Sequence, residues 1–568
     1  MSTLLEQASL IMIPSGYKED VVYSVIPENG NGDLSFTRAS DGTRINSAGL
    51  VEVCPWNLVQ QSETIGTSPW LTNGATLTSG QTDPNGGTTA IKVQLASGGN
   101  NYVYQGIPLT NPINIVSAYL RADSATTIGF SMGGSTANAV NLTTTWQLFT
   151  FSSTDTSGGI IFDNYFGPSP TQQAKTFYIW HPQLNIGSTA KPYFPTTDRL
   201  NVPRLTYQNG GGGCPSLLLE KQSTNLFSYS EQLDNAYWTP LQLTVTANNT
   251  TSPDGTQNAD KFTEDAVSGV HLFYNNSSVT SASTSTASIF YKKGTRRYFA
   301  IKLQIGSNSY TQVFDADGLT TGSNSSNGLT SVSTSIVSMG NGWVRASVTG
   351  TDPSASTACY IICSLSNSAT PTFDSGNFNP SYLGSSSEYG FFYGAQMEAS
   401  SYPTSYIPTT SASATRVADV CTKSGIGALI GGTSGTVFFD IKTNPVLSSA
   451  NYKQFCYYFT SGGAQSYMYL DSNNLITTNI NWGSLFFSAT PFVANTRYKV
   501  ALVYAPNDFA LYVNGVSVAT ASSGTPLNNV DMQIGQINGS EMCEFVFNQY
   551  THFPSRLTNA ELATLTTI

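Results

Sequence analysis

Charge is scarce in this 568-residue chain: Asp, Glu, Lys and Arg together make up 10% of it. The 24 basic residues are outnumbered by 34 acidic ones, giving a net charge of -10, so no positive field exists to neutralise a phosphate backbone and a nucleic-acid role is not expected. The one dense basic cluster, Lys292, Lys293, Arg296 and Arg297, lies between strand-like runs and reads as a solvated hairpin end. Histidine is rarer still, and His181, His271 and His552 match no metal or triad spacing. Cysteine is scattered (Cys54, Cys214, Cys359, Cys363, Cys421, Cys456, Cys543) without a CxxC pair. These read as buried free thiols, compatible with folding in a reducing cytoplasm. No run approaches the ~18 to 20 apolar residues of a membrane span. The N-terminus, with Glu6 before a short apolar run and no basic start, does not read as a signal peptide. Helical periodicity is nearly absent, with short helices expected only at Leu4–Ile11 and Asn559–Thr566.

What remains is 39% hydrophobic and 12% aromatic, enough to fold. The length exceeds a single core, so three to four domains are expected. Apolar and polar residues alternate in runs of four to eight bounded by Gly, Asn, Asp, Ser and Pro, as at Thr88–Leu95, Ser288–Tyr291, Val344–Val348, Val437–Ile441 and Phe509–Val513. The class is all-β.

An internal repeat organises the first four hundred residues. Asn57-Leu58, Trp70, Pro84, Ala90 and Lys92 return as Asn225-Leu226, Trp238, Pro253, Ala259 and Lys261, an offset of 168 to 169 residues. Pro182-Gln183-Leu184 through Tyr193-Phe194-Pro195-Thr196-Thr197 returns as Ala395-Gln396-Met397 through Tyr406-Ile407-Pro408-Thr409-Thr410, an offset of 213. The second copy has therefore gained loop length inside. Basic straps flank the copies: Phe36-Thr37-Arg38 with Thr43-Arg44-Ile45, then Val202-Pro203-Arg204-Leu205, then Thr415-Arg416-Val417. The middle strap runs into Gly210–Gly213, which lacks the Lys-Ser/Thr of a phosphate loop and reads as a hinge. Each copy fits a jelly-roll sandwich, with the strand residues Trp146 and Trp343 expected in the core.

The last segment departs from the repeat. Arg497 to Tyr504, a turn at Pro506-Asn507-Asp508, and Phe509 to Val513 before Asn514-Gly515 read as a hairpin followed by a tight turn. Together with "MQIG", "FVF" and the Arg556–Leu562 tail, this pattern resembles the laminin-G-like, concanavalin A-type sandwich over roughly the last 145 residues. The connectors "IPENGNGDLSFTRASDGTRINSAGLVE", "NVPRLTYQNGGGGCPSLLLEKQSTNLFSYSEQLDNAYW" and "SYIPTTSASATRVAD" resemble segments of structural proteins of tailed phages, notably crAss-like gut phages. That resemblance implies a head or tail fibre, or another virion appendage, assembled in the host cytoplasm. The expected layout is an N-terminal anchoring segment and connector (1–53), a jelly roll (54–200), a connector with a second jelly roll (201–423), and a laminin-G/concanavalin A-like domain (424–568).

Catalysis is not expected. Glycoside hydrolysis needs two carboxyl groups at defined separation. Acidic residues are sparse here, and Glu541 with Glu544 is the nearest approach to a strand carboxylate pattern in the last domain. Sugar binding needs flat aromatic faces for pyranose C–H groups plus polar groups for hydroxyls. Candidates are Trp70, Tyr102 and Tyr104 in the first copy, Trp238, Phe273, Tyr274 and Tyr298 in the second, and Tyr469, Asn481 and Trp482 in the last domain. The expected partners are other virion proteins, host-surface polysaccharide and further copies of the chain, with a trimer the expected state. No cofactor is expected; a structural Ca²⁺, frequent in such sandwiches, has no loop that places it. A structural decoration without sugar binding and, third, a polysaccharide hydrolase are the alternatives.

Overall fold

The computed structural model describes residues 2–109, 113–133, 138–154, 158–165, 172–275, 278–443, 454–461, 464–471, 473–480, 484–487, 491–537, 541–542 and 545–568. They form two compact units, one of residues 52–200 with 248–259 and one of the remainder. The short unit holds the first jelly roll, two five-stranded antiparallel sheets. One runs Asn138–Leu142, Thr126–Met132, Gly159–Asp163, Tyr102–Gly106, Leu71–Asn73; the other runs Gln147–Ser153, Asn114–Arg121, Lys175–Ile186, Ala90–Leu95, Ala75–Gln81. Alternation sends Val103, Phe130, Phe162, Phe177 and Ile179 into the core, where Phe130 stacks on Phe162 at 5.0 Å.

The long unit contains the second jelly roll and a larger closing sandwich. One jelly-roll sheet carries Trp238–Leu241, Leu272–Asn275, Ala358–Ser366, Tyr298–Ile305, Asn308–Asp315 and Thr320–Asn327; the facing sheet includes Tyr389–Glu398, Thr284–Lys293, Trp343–Thr351 and Thr330–Gly340. Trp343, Cys359 and Cys363 are buried, and burial pushes the Cys363 thiol far up.

The closing sandwich draws on three distant stretches of chain. Its eight-stranded sheet begins Arg204–Thr206, Ser216–Leu219, Phe545–Phe553, Gly435–Lys442 and ends in the hairpin Arg497–Ala505, Asp508–Val513 with Val516–Ala521, while Leu10–Met12 also pairs with Phe545–Phe553. Its nine-stranded sheet starts Tyr17–Lys18, Val21–Val22, Leu34–Thr37, Val420–Lys423, Asp531–Ile534. Leu10 sits opposite His552, Phe36 opposite Cys421 and Leu217 opposite Phe547. The stretch 1–53, expected as an anchoring segment, thus places four short strands in this sandwich, and the 201–221 connector places two more. Both jelly rolls are, in sequence, insertions between its strands.

Several local expectations change. The helix expected over Leu4–Ile11 is only Ser2–Leu5, because Leu10–Met12 gains a sheet partner; the terminal helix spans Asn559–Thr566, started by a Thr558–Glu561 capping box. Gly210–Gly213 is not a free hinge. A Cβ on Gly211 would lie 2.7 Å from the Gly49 nitrogen, and the Gly212 N–H donates to the Ser47 carbonyl, so the run is packed backbone to backbone. The basic cluster is paired rather than merely solvated: Arg296 forks onto Glu264, Arg297 onto Asp315, Lys293 reaches Asp317 at 2.6 Å, and Lys292 lies over Trp343.

The repeat is a repeat of latches. Asn57 Nδ2 donates to the Phe194 carbonyl at 2.9 Å, and Asn225 Nδ2 donates to the Ile407 carbonyl at 2.9 Å. Ser62 bonds the Tyr193 hydroxyl at 2.7 Å, as Ser230 bonds Tyr406. Trp70 and Trp238 point inward in both copies and give their indole N–H to Gln61 and Tyr229 carbonyls at 3.1 and 3.0 Å.

Candidate functional site

Among the described residues, the sequence candidates that the structure brings together as neighbours on an outer face are Tyr102 and Tyr104. Val103 between them enters the core, so both rings stand on the opposite side of the sheet. Tyr104 lies across a floor of glycines. A Cβ at Gly133 would meet its ring carbon at 2.8 Å, one at Gly159 at 2.9 Å, and one at Gly106 its hydroxyl at 3.0 Å. The ring therefore packs against backbone where side chains would displace it, its hydroxyl donating to the Gly158 carbonyl at 3.1 Å. Tyr102 stands edge-on to it, with centroids 6.3 Å apart and planes at 87°.

The cross-strand neighbours complete the face. Asp163 is paired with Tyr102, Ile161 with Tyr104 and with Ser131, and Leu71 and Asn73 flank the two rings on the other side. Leu71 is exposed, while the buried Ser131 hydroxyl has no hydrogen-bond partner among the described residues. Asp163 is 4% exposed, accepts an N–H from Tyr165 at 3.3 Å and, among the described residues, faces no cation. Burial raises its pKa to about 7, against the lowering effect of that hydrogen bond.

Because the folded carboxyl holds a proton that the unfolded one has already lost, Asp163 makes stability fall as pH rises from about 4 to 7, and the loss is complete above that window. Asp163→Asn removes the slope. At pH 8 the variant's first jelly roll is expected to melt about 5 to 10 °C above wild type, the full linkage being at most about 4 kcal/mol, with little difference at pH 4. Calorimetry of the full chain at both pH values checks this.

The second copy's equivalent face is built differently. Tyr274, opposite Ile362, matches Tyr104, but Leu272 stands where Tyr102 would be and Ser364 where Asp163 would be. Lys302, at the Ser131 position, is buried and donates to the Asn377 carbonyl at 2.7 Å, so the extra loop length of this copy lies over its own sheet. Tyr298 is half-buried under Arg297 and is not brought to Tyr274. Trp70, Trp238 and Phe273 are core residues, because their strands turn those positions inward. Trp146, expected in the core, instead lies on the outer surface of the other sheet, 5.4 Å from the Arg121 guanidinium. Tyr469 is half-buried against the closing core; Asn481, Trp482, Cys543 and Glu544 lie outside the described residues.

Two further polar clusters serve the fold. His181 is stacked between Trp180 and Tyr193 at 3.4 and 3.6 Å, and burial lowers its pKa to about 4. In the long unit the three straps converge: Arg38 and Arg204 both bond Asp419, Arg204 and Arg416 both face Glu220, and Ser405 bridges Glu220 to the two arginines. All five charged groups are buried. Burial alone would raise the Glu220 pKa, yet Arg416, Arg204 and the Ser405 hydrogen bonds hold it well below the usual carboxylate range. Among the described residues no group of three or more His, Cys, Asp or Glu could hold a metal ion, and no helix is long and apolar enough to cross a membrane.

No protein-family model matches the sequence, and no curated protein matches it. Several solved structures are remotely similar. The tandem CBM22 domains of Paenibacillus barcinonensis Xyn10C are 11% identical over 61% of this chain and 98% of theirs, with a TM-score of 0.19. Mouse laminin α1 domains LG4-5 are 10% identical over 51% and 88%, TM-score 0.18, and a Trypanosoma rangeli sialidase is 9% identical over 94% and 91%, TM-score 0.19. Likenesses this remote assign the chain no ligand and no reaction.

Proposed function

We propose that the chain is a glycan-binding appendage subunit whose working surface is the Tyr102–Tyr104 face of its first jelly roll. The observation that carries this reading is Tyr104 packed over Gly106, Gly133 and Gly159, an aromatic ring of the kind a pyranose C–H face stacks on, with Tyr102 edge-on to it and the carboxyl of Asp163 on the same face. The connector resemblance supports a place on a phage particle, and the weakness of a single two-ring site favours a symmetric oligomer, a trimer, that gains avidity from several copies. A purely structural decoration is the second reading. It is favoured by the second jelly roll, which keeps the sandwich while covering the equivalent face with its own loop.

A glycan array probed with the full chain tests the proposal. Wild type is expected to retain at least one polysaccharide class, and Tyr104→Ala to lose at least about tenfold in apparent affinity, as removal of ~1.4 kcal/mol of stacking requires. An array with no signal for wild type favours the structural reading.

A further inference from the structure

Resting on that reading of the face, we infer that its ligand is a neutral, hydroxyl-rich glycan and that chains carrying uronate or sialate carboxylates are rejected. The argument starts from the distribution of charge. Residues 52–200 contain only five cations, Lys92, Arg121, Lys175, Lys191 and Arg199. None belongs to the five strands of the tyrosine sheet. Lys92 and Arg121 lie on the opposite sheet and face Asp123, Lys175 opens a strand of that same opposite sheet, Lys191 pairs with Glu52 at 2.5 Å, and Arg199 donates to the Asn57 carbonyl. A sugar carboxylate on Tyr102 and Tyr104 would meet no arginine or lysine from this sheet.

It would meet Asp163 instead. That carboxyl is buried beside Tyr102, and the N–H of Tyr165 takes up one of its oxygens, at 3.3 Å, leaving acceptor capacity for sugar O–H groups. An anionic sugar placed there sets two carboxylates against each other with no cation between them, which is discrimination by a repulsive element. Asn73, exposed at the edge of the same face, is a neutral amide whose Nδ2 donates to the Asn100 carbonyl, and it adds no cation. Every polar group on the face therefore suits hydroxyls.

Native affinity electrophoresis of the full chain at pH 8.5 tests this, with gels containing galactomannan, xyloglucan or mixed-linkage glucan against gels containing polygalacturonate or alginate. The expected result is retardation by at least one neutral polymer, abolished in Tyr104→Ala, with binding to the acidic polymers at least tenfold weaker. Because the chain as a whole is anionic, Asp163→Asn separates local from global repulsion: acidic polymers are expected to retard it at least threefold more than wild type. Tyr104-dependent retardation by polygalacturonate or alginate as strong as by neutral polymers overturns the ligand class while leaving the site standing. An unchanged response of Asp163→Asn to acidic polymers also overturns it. Retardation indifferent to Tyr104→Ala, or by no polymer at all, overturns the reading of the face itself.

Discussion

Deleting residues 1–51 is expected to unfold the sandwich at the far end of the chain while leaving the first jelly roll intact. Leu10, Met12, Val22, Leu34 and Phe36 are each at most 1% exposed, and all five sit in the closing core with Val437, Phe439 and Phe547. Burying a large apolar side chain is worth about 1.5 to 3 kcal/mol, so the five together contribute on the order of 10 kcal/mol, comparable with the whole stability of an ordinary domain. The deletion also strips the pairing partner from Phe36's neighbour Val420–Lys423 and from one side of Phe545–Phe553, exposing strand edges. Limited proteolysis of chain 52–568 should degrade the region after residue 420 rapidly and leave a resistant fragment spanning 52–200. The isolated segment 424–568, lacking Leu205, Leu217 and Leu219 as well, should show no cooperative unfolding. A cooperative transition from that segment would mean that the early strands are ornaments on a self-sufficient sandwich.

This closure explains what could be read from the sequence and what could not. Period-two alternation is local, so Val437–Ile441 and Phe509–Val513 announce themselves as strands, and the Asn514-Gly515 turn, with φ of 49° and 85°, follows from its own two residues. The internal repeat is also readable, because Asn57, Ser62, Trp70 and Tyr193 each reappear with the same bond in the second copy. For the same reason the repeated tryptophans were poor candidates for binding: a residue kept in two copies with different outer faces is holding the sandwich together, as Trp70 and Trp238 do. The strand partner of Leu10 lies more than five hundred residues away, and no pattern near Leu10 names it. The binding face shares this difficulty. Tyr102, Tyr104 and Gly106 follow one another in the alternation, whereas Asp163, Gly159 and Gly133 come from other stretches of chain whose register the sequence leaves open.

Asp419→Ala is the point substitution with the largest expected effect on the long unit. Asp419 bonds Arg38 at 2.8 Å and Arg204 through its other oxygen, and that oxygen also accepts the Glu220 backbone N–H at 2.9 Å. All three side chains are sealed from water. Removing one partner of a buried pair costs about 3 to 5 kcal/mol, because the partner left behind keeps its charge and loses its solvation. Here two buried guanidiniums, Arg38 and Arg204, each lose a carboxylate at once, and the three straps that carry Arg38, Arg204 and Arg416 lose the carboxylate that ties the first two together. Denaturant unfolding followed separately for the two units should show the long unit destabilised by at least that amount and the 52–200 transition unmoved. Acid should act in the same direction. Glu220 is held below its ordinary pKa, so its contribution is complete above about pH 4.5 and is lost as the pH falls through its folded value, and the wild-type long unit should unfold in acid before the first jelly roll does. Replacing Arg38, Arg204 and Asp419 together by apolar residues of matching volume should recover much of the stability lost in Asp419→Ala, since desolvation of the ions goes with the ions. If the triple replacement is as unstable as the single one, packing of the straps rather than their charge is what closes the sandwich.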